Sequence, residues 1–281
     1  EPSKTNLEKL EQVGPYKIVR PALACLWPKS LAKSEWDKKD AYFKRTSSQQ
    51  GNWFFSGKKL PQSWQMSSQN IKLNCQLTSF GHLGFFPEHH NLTGLCDEIK
   101  KAKKAKKDFS LLNLFAYTGF VSCLAASKGA SVTHVDSSKT SLNWARDNAK
   151  LNNLNPLSIR FILDDVKAFV KREVKRKKTY DAIVLDPPSY GRGAKSQVWQ
   201  IEKDLLPLLF ELKKIMSKDF SFLLLSSHTP GLSGEALKNI LVAATGFERN
   251  LVKAGEMTVA HEKSSKLLPA GTFCLWQKKE V

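Results

Sequence analysis

Metal-binding and redox cysteine patterns are missing from this sequence. Its five cysteines (Cys25, Cys75, Cys96, Cys123, Cys274) are odd in number and scattered, with no CxxC pair and no Cys/His cluster. That spacing argues against a bound metal and a disulfide framework, and for reduced thiols in a cytosol-like, cytoplasmic compartment. No apolar run approaches the roughly 20 residues that span a bilayer, so no membrane partner is expected. No signal-peptide pattern is visible, although a chain that starts at Glu1 rather than Met leaves a removed leader open. The GxGxxG fingerprint and the phosphate loop are both missing, which speaks against a nicotinamide or a nucleoside triphosphate site. There is no internal repeat.

Acidic residues are also in short supply. Lys and Arg number 44 against 26 Asp and Glu, a formal net charge of +18. Such an excess fits a polyanionic partner, because neutralising phosphates releases counterions; a lysine-rich solubility surface is the alternative. The 281 residues allow one large domain or two ordinary ones. Nothing fixes the oligomeric state.

The amino-terminal part, residues 1–98, holds four of the seven tryptophans, Trp27, Trp36, Trp53 and Trp64. In "NIKLNCQLT", Ile71, Leu73, Cys75 and Leu77 alternate with polar residues, which is strand periodicity. "GNWFFSG" and "SWQMS" read as further short strands. A small, mostly antiparallel β domain with little helix is expected, its tryptophans either in the core or stacking on a ligand. A basic linker follows at 99–109, "IKKAKKAKKDF", either a solvated face or part of an RNA path.

From Ser110 to the end, strand-like runs alternate with helix-length segments: "SLLNLF", "SVTHVD", "SIRFIL", "DAIVLD" and "FSFLLLSS", then two strands in the tail. Repeated βα units imply a parallel sheet covered by helices, an α/β fold. A long helix is expected through "SQVWQIEKDLLPLLFELKKIMS", kinked or restarted at Pro207.

In such a sheet ligands bind outside the carboxyl ends of the strands. After the first strand comes "NLFAYTG", with Asn113 inside the strand and Tyr117, Thr118 and Gly119 in the turn. The second strand ends in Asp136, suited to ribose hydroxyls, the third in Asp164 and Asp165, suited to an adenine amino group, and the fourth in Asp186. Each acid alone could cap the following helix. Together with the glycine turn they describe a site for an adenosine without a polyphosphate. "VLDPPSYGRG" then reads as a rigid loop that holds one charge and one aromatic ring at a strand's tip.

The stretches "LNLFAYTGFVSCLAASKGA", "VTHVDSSKTSLNWARDNAKLNNL", "FILDDVKAFV" and "DAIVLDPPSYGRG" resemble a class I S-adenosylmethionine-dependent methyltransferase. More narrowly they resemble the bacterial large-subunit ribosomal RNA methyltransferases that modify cytosine carbon 5 or guanine nitrogen 7. "TSFGHLGFFPE" and "AHEKSSKLLPAG" extend the resemblance to roughly residues 70–281. It implies a Rossmann-like seven-stranded sheet, S-adenosylmethionine as cofactor, S-adenosylhomocysteine as product, and ribosomal RNA as partner. The turn Phe115–Gly119 would wrap the methionine part. Asp136 and Ser137 would hold the ribose, and Asp165 and Val166 the adenine. Asp186 and Pro187 would lie near the methyl group, with Tyr190 stacking on the target base or packing on the next helix. Arg192 and Lys195 would meet phosphates.

The resemblance also has departures. Cytosine carbon-5 members carry a cysteine after the fifth strand, where this chain has Ser226, Ser227 and His228 in "LLLSSHTPG". Covalent cytosine chemistry is therefore disfavoured and a guanine ring nitrogen preferred. His228 is a candidate proton acceptor or base contact, or an ordinary surface-loop histidine. Related enzymes place an aspartate and an arginine near "GFFPEHH", where Glu88 and His90 stand; Phe86 and Glu88 are expected to border the cofactor. The family's extra amino-terminal RNA-binding domain is not evident, which leaves RNA capture to the β domain and the basic surface. A protein side chain or a small molecule is the alternative substrate.

Overall fold

The structure is a computed structural model that describes residues 7–47, 50–91, 97, 99–101, 108–193, 197–262 and 264–279. Cys96, Lys195 and most of the basic linker lie outside the described residues. The chain forms two compact units, one comprising Glu1–Pro87 and Ala260–Pro269, the other Glu88–Val259 and Ala270–Val281. Among the described residues no helix is long and apolar enough to cross a membrane.

The first unit carries a four-stranded sheet, β1 (Glu8–Val13), β2 (Tyr16–Pro21), β3 (Ala41–Arg45) and β4 (Gly51–Phe55), in that spatial order. β2 and β3 run parallel and the other two pairings are antiparallel. A five-residue helix, α1 (Lys33–Asp37), precedes β3. The alternating run at 71–77 forms β6 (Ile71–Cys75), which pairs antiparallel with β5 (Trp64–Ser68). Gln69 and Asn70 both take positive φ between them, as a two-residue hairpin turn requires. Two of the tryptophans are structural. Trp64 is buried and donates its indole N–H to the Val13 carbonyl at 2.9 Å, and Trp53 donates to Thr78 at 2.8 Å.

The second unit is built on β7 (Ser110–Leu114), β8 (Ser131–Asp136), β9 (Ile159–Leu163), β10 (Ala182–Leu185) and β13 (Phe222–Ser227), all parallel. With β14 (Val252–Ala260) and β15 (Leu267–Gln277) they make a seven-stranded sheet of order β14-β15-β13-β10-β7-β8-β9. β15 runs antiparallel to β13. β10 reads Ala-Ile-Val-Leu with every residue buried, as expected of a strand covered on both faces. Leu112, Leu114, Ile183, Leu185, Leu223 and Leu225 share one core with the apolar sides of α5 (Ile201–Lys213) and α6 (Gly234–Thr245). α2 (Phe120–Ser127), α3 (Lys139–Leu151) and α4 (Val166–Lys175) complete the helices named here. Ser138, Asp165 and Ser233 cap α3, α4 and α6 by accepting a backbone N–H.

The expected helix through residues 196–217 is corrected. Val198–Gln200 form β12, antiparallel to β11 (Tyr190–Arg192), and the helix begins only at Ile201. The Trp199 indole donates to the Pro188 carbonyl at 2.7 Å, which draws this segment back onto the proline loop. Pro207 sits inside α5 with no break. Both Pro207 and Lys203, whose carbonyl loses its usual donor, face solvent, so water can replace the missing bond.

At the amino ends of the strands, Asp181 is buried and ties three segments together. Its carboxylate accepts from the Ser110 amide (2.9 Å), the Ser110 hydroxyl (2.8 Å) and the Ser217 hydroxyl (2.7 Å). Replacing Asp181 with Ala leaves these donors unmet and should cost about 1–3 kcal/mol, measured by urea unfolding. Stability equal to wild type would show that the network contributes nothing.

Candidate active site

β7 is flanked by β8 on one side and β10 on the other. The chain moves outward through β8 and β9, then returns across β7 to start β10. In open α/β sheets such a reversal marks the place where ligands bind, here the carboxyl ends of β7 and β10 and the residues just past them.

The turn after β7 is the most constrained backbone here. Phe115 (φ 54°), Tyr117 (φ 49°) and Gly119 (φ 84°) are all left-handed. Non-glycine residues so placed cost on the order of 1–3 kcal/mol each and persist only where surroundings impose them. Three bonds do so. The Tyr117 amide donates to Asp136 Oδ2 at 2.8 Å, the Ala116 amide donates to the Val135 carbonyl at 3.2 Å, and Asn148 Nδ2 donates to the Thr118 carbonyl at 2.9 Å. Gly119 has a second reason to be glycine: a Cβ there would lie 2.9 Å from Ala145 Cβ on α3.

Beneath the turn, buried Asn113 donates to Ser122 Oγ at 2.9 Å, and Ser122 Oγ lies 3.0 Å from His134 Nδ1. Burial pushes the His134 pKa down to about 3, so its ring is neutral.

Asp136 ends β8 half-buried. Besides Tyr117 it accepts from the Ser138 amide at 2.8 Å, one bond on each oxygen. Burial pushes its carboxyl upward, against these two bonds. Each oxygen keeps a lone pair for an outside donor. Ser137 beside it is half-buried. Past β9, Asp165 caps α4 by accepting from Ala168 at 2.9 Å, and Asp164 pairs with Arg172. Val166, the first residue of α4, is buried. Capping is thus what Asp165 does within the chain, and its second oxygen is left for another donor.

Asp186 ends β10 in a charged cluster. Ser226 Oγ donates to Oδ1 at 2.8 Å, His89 Nε2 lies 3.3 Å from Oδ2, and His228 Nδ1 lies 3.5 Å from Oδ1. On its far side His228 Nε2 meets Glu88 Oε1 at 2.9 Å, and Glu88 is only 5% exposed. Burial disfavours charge on all three, but mutual attraction wins. The histidines hold the Asp186 carboxyl well below the usual range and Glu88 is also lowered, while the two carboxylates raise the His228 pKa to about 10. His228 is an exposed loop histidine, as its position suggested, but one paired with two carboxylates, so at neutral pH it carries a proton.

Pro187 is buried and Pro188 exposed. Phe115 packs against Trp199 at 4.8 Å, which joins the turn after β7 to the β11–β12 hairpin. Tyr190 is 45% exposed, with its hydroxyl accepting from Arg192 Nε at 2.9 Å. Phe86 belongs to the first unit, where its ring meets His82 edge-on at 5.2 Å. The side chain of His90 lies outside the described residues.

The second unit thus brings Phe115, Tyr117, Thr118, Gly119, Asp136, Ser137, Asp165, Val166, Asp186, Pro187 and Tyr190 to the carboxyl ends of neighbouring strands or the loops just past them. Sequence reasoning did not find Asn148, Ser226 as an Asp186 partner, or the Glu88–His228 link. Asn148 left one trace, a polar residue on the apolar stripe of α3 formed by Leu142, Ala145 and Ala149.

A family model described as S-adenosylmethionine-dependent methyltransferase matches residues 41–217. The ribosomal RNA large subunit methyltransferase K/L of Colwellia psychrerythraea is 33% identical over 162 residues, 57% of this chain and 21% of that protein. The chain therefore spans about a fifth of the length of that curated relative. The crystal structure of a S-adenosylmethionine-dependent methyltransferase from Agrobacterium tumefaciens matches with a TM-score of 0.90 and 32% identity, covering 98% of this chain and 88% of that one. SMU.776, crystallised with S-adenosylhomocysteine, shares the fold at a TM-score of 0.72 and 18% identity, over 96% of this chain and 71% of that one.

Two outcomes are expected. Gly119→Ala meets both the left-handed backbone and the Ala145 contact and should lower stability by about 1–3 kcal/mol in a denaturant titration; an unchanged midpoint would mean the turn relaxes freely. For His228 the folded pKa is raised, so its stabilisation is complete below 6.5 and lost as pH rises through about 10. Asp186 and Glu88, with lowered folded pKa, contribute above the ordinary carboxylate range and lose that contribution as pH falls. The difference in Tm between wild type and His228→Gln should accordingly be widest near pH 6 and narrow toward pH 10. A gap that widened with rising pH would contradict the ion pairing.

Proposed function

The chain belongs to the S-adenosylmethionine-dependent methyltransferase family, and on that premise we propose that it methylates a base in RNA, a guanine ring nitrogen rather than cytosine carbon 5. The observation that carries this reading is the position of Asp136, Asp165 and Asp186 at or just past the carboxyl ends of β8, β9 and β10, in the same sheet as the strained turn at 115–119 that follows β7.

The residues fit the cofactor chemically. Asp136 keeps a lone pair on each oxygen for ribose hydroxyls, with Ser137 beside it. Asp165 keeps one oxygen for the adenine amino group, and Val166 gives the ring an apolar wall. Left-handed Phe115, Tyr117 and Gly119 turn backbone toward the amino-acid part, with Thr118 held by Asn148. When bound, S-adenosylmethionine supplies a sulfonium methyl group that a ring-nitrogen lone pair can take. Asp186 presents an ionised carboxylate to positive charge developing on the base. Pro187 and Pro188 fix that loop, so little reordering is needed. The exposed ring of Tyr190 offers the base a stacking face, and Glu88 acts by holding His228 against Asp186. We assign Phe86 no contact.

The choice of atom follows from acid–base character. Asp186 and Glu88 are weak bases, and His228 keeps its proton to about pH 10. A ring nitrogen with a free lone pair asks for no proton removal, whereas carbon 5 asks for a thiolate as well. The four described cysteines are free and buried, and burial pushes the thiols of Cys75, Cys123 and Cys274 up to about 12. RNA as substrate is supported by the net charge of +18 and by what the Colwellia relative is named for. Reduced thiols and an RNA substrate fit a cytoplasmic setting.

The test is transfer of tritiated methyl from S-adenosylmethionine to purified cellular RNA, followed by nucleoside chromatography. Labelled 7-methylguanosine is expected, with Asp186→Asn reducing transfer about 100-fold or more. Labelled 5-methylcytidine would overturn the assignment of the atom. Label only in protein or small molecules would overturn RNA as substrate.

A further inference from the structure

Outside the strand-end site, the first unit holds a groove of about 520 Å³ walled by α1 and by β1, β2 and β3. Its lining is rich in lysine, with Lys29, Lys33, Lys39 and Lys44 against the carboxylates of Glu8 and Asp37. Lys29 neutralises Glu8 at 3.1 Å. Among the described residues, Lys33, Lys39 and Lys44 pair with no carboxylate, so three cations face one acid.

The aromatic part follows from strand alternation. In β3, Ala41 and Phe43 point into the core, which turns Tyr42 and Lys44 to the other face. Phe54 lies directly opposite Tyr42 on β4. The two rings stack at 5.1 Å with planes 15° apart, and Phe54 is 40% exposed. The Lys44 ammonium sits 5.5 Å from the Tyr42 ring and 5.6 Å from Phe54, and Lys39 lies 5.8 Å from Tyr42. In the opposite wall the Trp36 indole N–H is buried with no acceptor, beneath a Lys29 ammonium 3.9 Å from the ring. An unmet buried donor calls for an explanation, and an acceptor that displaces Lys29 would supply one.

We propose that this groove binds single-stranded RNA, a base stacking on the aromatic surface of Tyr42, which lines the groove, and of Phe54 stacked beside it, while Lys33, Lys39 and Lys44 meet flanking phosphates. The assignment rests on the RNA reading of the strand-end site and adds where the strand is held. Every base has a π face and every linkage a phosphate, so lysines interleaved with a stacked aromatic pair suit unpaired nucleotides of any sequence. A duplex keeps its bases stacked on each other and offers none to Tyr42. An acidic peptide would satisfy the lysines but leave the aromatic pair uncovered.

The experiment is fluorescence anisotropy of the full chain with a labelled single-stranded RNA of about 12 nucleotides across a KCl series, beside methyl transfer to cellular RNA. Replacing both Tyr42 and Phe54 with Ala should weaken binding about 5- to 150-fold per stacked base with the salt slope unchanged. The Lys33→Gln, Lys39→Gln, Lys44→Gln triple variant, on exposed or half-exposed positions that leave the core intact, should make the slope of log K against log[KCl] shallower by about 2. Tyr42→Phe should bind as wild type. If wild type binds and methylates RNA but both multiple variants bind equally well, the groove assignment is wrong and the RNA reading stands. If polyglutamate displaces the RNA as well as a competing oligonucleotide does, the groove is a general anion surface and the assignment falls. A wild type that neither binds nor methylates RNA overturns both.

Discussion

Two hydrogen bonds to one carboxylate organise the candidate site. Asp136, at the tip of β8, accepts from Tyr117 in the turn after β7 and from Ser138 at the start of α3. The first bond holds a left-handed tyrosine where it would not otherwise stay, and the second starts a helix. Without the carboxylate, the turn would lose the partner that offsets its strain, and Gly119 would lose its fixed approach to Ala145. Parallel pairing of β7 with β8 makes the arrangement possible, because it sets consecutive carboxyl ends side by side.

Asp186 depends on the same geometry but on a different balance. Taking Glu88, His228 and Asp186 partly out of water is costly, and the cluster persists because each charge has an opposite neighbour and a hydrogen bond. Removing one member would strand the others, so the cluster behaves as a unit. The fixed negative charge of Asp186 at the tip of β10 would stabilise positive charge on a base, while a carboxylate held below the usual range accepts protons poorly; both suit the proposed ring-nitrogen target.

Much of this was legible in the sequence. The βα rhythm from Ser110, the acids at 136, 165 and 186 and the turn at 115–119 are local patterns, and local patterns survive in a linear reading. What was not legible depended on distant pairing. Glu88 and His228 are 140 residues apart, and no spacing rule predicts that they meet. Asn148 showed only as one polar residue on an apolar helix face. Val198–Gln200 looked helical because they lead into a helix, and only the Trp199 bond to Pro188 and the pairing with β11 make them a strand. Tyr42 and Lys44 carried strand alternation too short to notice alone, and their meaning came from Phe54 lying opposite on β4.

The central claim is that the strand ends form one adenosine site with Asp186 beside it. The most direct measurement is a crystal structure with S-adenosylhomocysteine bound. The account predicts the ribose hydroxyls on Asp136, the adenine amino group on Asp165 beside Val166, and the sulfur within reach of the Asp186–Pro187 loop. Adenosine held anywhere else in the second unit, or a ribose that leaves Asp136 bonded only to Tyr117 and Ser138, would contradict it.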